Sequence, residues 1–191
     1  MTLGQKLKEI RKRFGLSQES LAEIMNVSRQ AITKWESDEG LPDVSNLQEL
    51  SKVFNLTVDY LLDNDNSLPA LSMKKALDKD KYEMNQNGYV QIIKDNYAEP
   101  WEVYELLRNK NHSKLVSIVS DWIVGAGAME TLDALDDMTP YFLVKKDGLK
   151  LLVNIHDYIL EVIELPENTN DKKFVYGKNI FKQYKKLELT K

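Results

Sequence analysis

Over the first 62 residues, apolar positions recur at helical spacing in short bursts, each opened by a residue able to cap a helix. Leu3, Leu7 and Ile10 share one face behind Thr2 and Gln5, a pair with capping-box spacing. This first helix should end near Phe14-Gly15, with glycine at its C-cap. Ser17 caps a second helix with Leu21, Ala22 and Met25 inward. Asn26 tolerates the left-handed backbone that a corner needs, and Val27 packs beneath it. Ser28 caps a third helix whose inner face is Ala31, Ile32 and Trp35. After Pro42, Asp43 or Ser45 opens a fourth helix with Leu47, Leu50 and Phe54 inside, and Thr57 caps a short fifth helix carrying Val58, Leu61 and Leu62.

Beyond residue 62 the pattern is weaker. Residues 63–72, DNDNSLPALS, read as a linker, and 73–88 as a frayed helix or loop, so that 63–88 separates a domain at 1–62 from one at 89–191. Within the second domain, 89–93 reads as a strand and 100–107 as a helix opened by Pro100. Residues 113–124 and 129–135 read as further helices. After Pro140 the texture changes to β-branched and aromatic runs at 141–145, 150–154, 158–165, 173–176 and 180–184. Turn signals at Asp147-Gly148, residues 168–170 and Gly177 separate them. The expected class is multidomain: an all-α five-helix domain followed by an α+β domain with an antiparallel β meander.

Composition narrows the chemistry. Hydrophobic (42%) and charged (29%) shares are those of an ordinary globular protein, and 191 residues suit one or two domains. With no cysteine, disulfides, thiol nucleophiles and thiolate metal sites are excluded. The longest apolar run, 115–129, is too short to span a bilayer and contains Asp121, and the N-terminus lacks the order of a secretion signal. These features suggest a cytoplasmic protein without a membrane partner.

A net charge of −4 is unevenly spread. Residues 1–36 carry Lys6, Lys8, Arg11, Lys12, Arg13, Arg29 and Lys34 against four Glu, whereas 37–62 carry Lys52 against five acids. A DNA reader needs a basic face rather than a basic total. If the third helix buries Ala31, Ile32 and Trp35, then Arg29, Gln30, Thr33 and Lys34 face outward. Arg forks onto guanine O6 and N7, Gln onto adenine N6 and N7, and Lys reaches guanine or phosphate. Ser17 and Gln18 open the second helix, where free backbone N–H groups favour a phosphate. A solvated helix is polar outside too, but that alone does not account for these caps, this corner and this core at this spacing.

The text LSQESLAEIMNVSRQAITKWE, followed by LPDVSNLQELSKVFNLTVDYLL, resembles the Cro/C1-type helix-turn-helix domain, also called the XRE family, over residues 3–62. The resemblance implies a five-helix, lambda-repressor-like domain that binds palindromic operator DNA as a homodimer, with helix 28–36 in the major groove. It implies DNA contacts from Gln18, Arg29, Gln30 and Lys34, with Ser28 capping the reading helix and Thr33 on the same face. It also implies a structural salt bridge between Arg11 and Glu36, the alternative being two surface charges. Asp38 occupies a position where many members have glycine, which bears on the loop after Glu36.

Other constellations are weaker. Gly125-Ala126-Gly127 lacks the third glycine of a dinucleotide fingerprint. Asp133, Asp136 and Asp137 could share a hard cation but more simply are solvated. His112 and His156 stand outside any zinc or triad pattern. Trp101, Tyr104, Trp122, Tyr89 and Tyr97 fit a core better than a ligand pocket, and the seven Lys from Lys172 onward fit a solvated strand face. No catalytic residue, metal site or cofactor is expected. The leading reading is a transcriptional regulator, most simply a repressor, whose residues 89–191 pair protomers or receive a small-molecule or protein effector. The alternative is an antitoxin or mobile-element immunity protein whose second domain grips a partner protein.

Overall fold

In a computed structural model, residues 1–63, 71–97, 100–110 and 139–189 are described. Five helices open the chain: α1 (Leu3–Arg13), α2 (Gln18–Met25), α3 (Arg29–Glu36), α4 (Val44–Phe54) and α5 (Val58–Leu62). Their starts follow from local chemistry. Thr2 and Gln5 complete a reciprocal capping box, and Ser17, Ser28, Asp43 and Thr57 each accept a backbone N–H from the first turn they precede. Asn26 takes the left-handed conformation (φ 52°) that turns α2 into α3, and Asn55 does the same after α4. Leu7, Ile10, Leu21, Ile32, Leu50, Phe54 and Leu61 are fully enclosed, with Phe14 stacked on Phe54 at 5.7 Å.

The rest of the described chain forms a seven-stranded, wholly antiparallel sheet with one further helix. Its strands are β1 (Ser72–Ala76), β2 (Glu102–Lys110), β3 (Tyr141–Lys146), β4 (Leu149–His156), β5 (Ile159–Glu164), β6 (Lys173–Tyr176) and β7 (Asn179–Leu187), and α6 spans Gln86–Asn96. Spatial order is β1-β5-β4-β3-β2-β7-β6, so β3, β4 and β5 form a local meander. The meander's turns are tight: Asp147-Gly148 and Asp157-Tyr158 all have positive φ, as two-residue hairpin connections with matching twist require.

Three expected elements differ. Residues 72–76, expected within the linking segment, are β1, paired along β5 from Ser72↔Ile163 to Ala76↔Ile159. Residues 89–93, expected as a strand, lie inside α6, because Asn85 accepts from Gly88 N–H and starts a helix that buries Ile92 and Ile93 on one side. Residues 100–107, expected as a helix, belong largely to β2, which bonds to β3 on one side and β7 on the other. The helices expected at 113–124 and 129–135, together with Gly125 to Gly127, Asp133, Asp136, Asp137, His112 and Trp122, lie outside the described residues.

Alternation along the strands separates two cores. Phe142, Val144, Leu151, Val153, Leu160 and Val162 join a cluster continuous with the five-helix lobe and α6. Leu143, Leu152, Leu106, Leu165, Phe174 and Phe181 form a second cluster. The helical lobe therefore shares one core with the sheet. Asn55 Nδ2 donates to Ser72 Oγ at 3.1 Å, and Arg13 meets Glu164 at 3.3 Å across the same seam.

Candidate nucleic-acid interface

Helix α3 sits with Ile32, Trp35 and Glu36 buried, while Arg29, Gln30, Thr33 and Lys34 are exposed on its outer side. The cap is Ser28, whose Oγ accepts from Ala31 N–H at 3.2 Å. At the other end the Ser37 hydroxyl donates to the Thr33 carbonyl at 3.0 Å. The outer face is thus a short rigid rod with four polar side chains in solvent. Ser17 is exposed at the start of α2, its Oγ accepting from Ser20 N–H at 2.9 Å. Gln18 follows in the first turn, where backbone N–H groups have no partner within the helix.

Beneath this face lies a buried network. Arg11 Nη2 donates to Glu36 Oε2 at 2.9 Å while Arg11 Nε pairs with Oε1, a two-pronged grip between side chains only 11% and 3% exposed. Arg11 Nη1 also donates to the Leu16 carbonyl at 2.8 Å, which fixes the turn before α2. Burial by itself pushes the Glu36 carboxyl upward. Hydrogen bonds from Arg11 and Gln18 and the positive charges of Arg11 and Lys8 outweigh it, so its pKa lies below the ordinary 4.5.

Gln18 connects this network to the surface. Its Nε2 donates to Glu36 Oε2 at 2.9 Å, and its Oε1 accepts from the Thr33 hydroxyl at 3.2 Å. The amide nitrogen keeps a second hydrogen for an outside acceptor. Thr33 is similarly engaged, its single hydroxyl hydrogen lying within reach of both Gln18 Oε1 and the Arg29 carbonyl at 3.0 Å.

Two residues were misjudged or missed from sequence. Lys6, counted among the seven positive side chains of residues 1–36, is completely enclosed. Its Nζ donates to the carbonyls of Tyr60 at 2.7 Å and Asp63 at 2.6 Å and lies 4.4 Å from the Tyr60 ring. The signal was present, because Lys6 stands three residues after Leu3 and four before Ile10, on the apolar stripe. With Lys6 and Arg11 inside, the exposed or half-buried cations of residues 1–36 are Lys8, Lys12, Arg13, Arg29 and Lys34.

Asp38, at the position where glycine is common, takes the left-handed conformation that glycine would supply (φ 58°). Its carboxylate accepts from the Thr2 hydroxyl at 2.7 Å and from Gly4 N–H at 3.1 Å, so it also caps α1. Gly4 is required at that contact: a Cβ there would come within 2.3 Å of the Trp35 carbonyl oxygen.

Elsewhere, His156 ends β4 half-buried, 3.8 Å from carboxylate oxygens of Asp157 and Glu161. Tyr97 is buried, while Tyr89, Trp101 and Tyr104 are half-buried. No group of three or more metal-ligating side chains occurs among the described residues. No helix among them is long and apolar enough to cross a membrane.

A family model described as helix-turn-helix matches residues 7–61. The HTH-type transcriptional regulator ImmR of Bacillus subtilis is 33% identical over 95 residues, covering 50% of this chain and 70% of ImmR. The chain belongs to the Cro/C1-type helix-turn-helix family. Residues 7–61 are accordingly the DNA-binding module characteristic of such transcriptional regulators. Another member, the HTH-type transcriptional activator BcrR of Enterococcus faecalis, is 47% identical over 62 residues. That match covers 32% of this chain and spans only 30% of the activator's length. The crystal structure of the P22 c2 repressor in complex with a synthetic operator is 35% identical, covering 34% of this chain and 98% of that one, with a TM-score of 0.33.

Proposed function

We propose that this Cro/C1-type protein is a sequence-specific repressor that reads a palindromic operator as a homodimer, laying α3 in the major groove. The observation that carries the proposal is the exposed quartet Arg29, Gln30, Thr33 and Lys34 on a helix whose other side is locked into the core. Arg29 and Gln30, in the first turn, approach base edges, with Lys34 one turn on. Ser17 and Gln18 face a phosphate at the α2 N-terminus, where the helix dipole and the remaining Gln18 N–H favour an anion. Thr33 holds Gln18 in place and adds a hydroxyl oxygen to the same face. Two copies must present their reading helices about 34 Å apart to enter successive major grooves on one DNA face. The sheet-containing domain supplies the pairing surface or receives the signal.

Selection of bound DNA from a random pool with the full-length protein, at two salt concentrations, tests this. The expected product is an inverted repeat whose half-site centres lie one helical turn apart, with affinity falling as salt rises. A pool with no enriched sequence would overturn sequence-specific reading, and an enriched single half-site would overturn the dimer. Placing the selected site over a reporter promoter then tests repression: expression should fall when the protein is present, and a rise would make it an activator.

A further inference from the structure

Between the end of α1 and the β3–β4 hairpin lies a cleft of about 710 Å³, within the size range of small-molecule sites. Its walls include Arg13 and Lys12 from α1, Trp101 from the segment before β2, Lys146 from β3, Glu164 from β5 and Glu167 beyond it. The indole of Trp101 packs on Gly15, where a Cβ would come within 2.7 Å of Cζ2, and meets the Tyr97 ring edge-on at 5.6 Å. Gly15 itself has φ 71°, so turn and indole fit only because no side chain intervenes.

The electrostatics of this cleft are asymmetric. Glu9, Asp147, Glu164 and Glu167 line it against Lys12, Arg13 and Lys146. Glu164 is the most buried of the acids in an ion pair there, with a side chain 13% exposed. Its Oε1 faces Arg13 Nη2 at 3.3 Å, while its Oε2 is buried without a hydrogen-bond partner among the described residues. A buried carboxylate oxygen lacking a donor is an unfavourable arrangement that an incoming N–H relieves. The terminal torsion of Glu is soft, so the carboxylate turns at little cost to present an oxygen to a donor in the cleft. Trp101 offers a flat, electron-rich face for a cation, a role Lys146 fills loosely, with its Nζ 5.6 Å from the ring.

We infer that this cleft is a binding site for a small organic cation, an ammonium or amidinium carried on a flat apolar body. Its charged nitrogen takes the Glu164 carboxylate in competition with Arg13, and its body lies against Trp101. This inference does not depend on the DNA-reading proposal, and its test uses no DNA.

Benzamidinium serves as the cationic probe and benzoate as an anion of matching size, each titrated into full-length protein up to about 10 mM, ample for ligands this small. The readout is the indole N–H signal of Trp101 in a nitrogen-15 correlation spectrum, identified by its loss in Trp101→Phe. Benzamidinium should shift that signal saturably, leave the signal of buried Trp35 in place, and outbind benzoate at least tenfold. Glu164→Gln should weaken binding tenfold or more. Arg13→Gln removes the competitor and should strengthen it several-fold, an opposite sign that general unfolding would not produce. It also keeps the test decisive if Glu164→Gln does not fold. Absence of a saturable shift, benzoate binding as well as benzamidinium, or Arg13→Gln weakening the cation would each overturn the site.

Discussion

Gln18 and Glu36 are joined by one hydrogen bond, Nε2 to Oε2 at 2.9 Å, and through it the buried Arg11–Glu36 pair positions a side chain at the start of α2. The pair is therefore more than a brace between α1 and α3. It orients the first residue of α2, which in turn accepts from Thr33 on α3. An interior ion pair is a poor source of net stability, because desolvation offsets most of its attraction, yet breaking it is costly.

Glu36→Ala should therefore lower unfolding free energy by about 3–5 kcal/mol, since it strands a buried guanidinium. Replacing both partners with methionine should cost clearly less than the sum of the single changes, as urea titration will show. The pH dependence has a definite sign. The folded Glu36 carboxyl lies below its ordinary 4.5, so its contribution is fully present above that value and is lost as pH falls through the lower folded value. The stability advantage of the wild type over Glu36→Gln should be constant near neutrality and shrink below about pH 4.5. An advantage unchanged down to about pH 3 would contradict the assignment.

Asp38 combines a left-handed backbone with a cap on α1, and two substitutions separate these roles. Asp38→Ala loses the cap and keeps an unfavourable φ; Asp38→Gly loses the cap but relaxes the backbone. We expect Asp38→Ala to be the less stable of the two by about 1 kcal/mol, with both below wild type. Equal melting temperatures for all three proteins would show that the cap contributes nothing.

Lys6 ties the first helix to the end of the fifth through two carbonyls. Lys6→Met keeps the apolar stem and removes the donor, so a loss of about 2 kcal/mol in the urea midpoint analysis is expected. A methionine variant as stable as wild type would mean that packing of the stem, not the ammonium, holds the two helices together.

Arg29 is exposed and carries no role in the buried network, so Arg29→Ala should leave the fold intact. On a selected operator it should relax discrimination at one base position by about 1–3 kcal/mol while weak, salt-dependent binding persists. Unchanged preference, measured by competition between operator and point-mutated operator, would remove Arg29 from base reading.

The five helices of the first lobe were legible because their signals are local. A cap, a left-handed Asn corner and an apolar stripe each act within one or two turns, and Thr2, Ser17, Asn26 and Ser28 act as their chemistry dictates. The meander after Pro140 was legible for the same reason, since Asp147-Gly148 alone selects a tight hairpin. The exposed face of α3 followed from its buried one. What a single side chain could not announce was its partner across the fold: Asp38 at α1, Lys6 at α5, Gln18 on Glu36.

Strands β1 and β2 were decided only in three dimensions. Residues 102–110 carry no strong strand signal; they are extended because β3 and β7 flank them and supply hydrogen bonds on both sides. Lysine-rich residues 72–76 form an edge strand because Met73 enters the core shared with the helices while Lys74 stays in water. Short-range chemistry thus set where the chain turns and which helix side is polar. Pairing across tens of residues depends on neighbours that no local window contains, and it set the sheet, the seam with Arg13 and Glu164, and the network under α3.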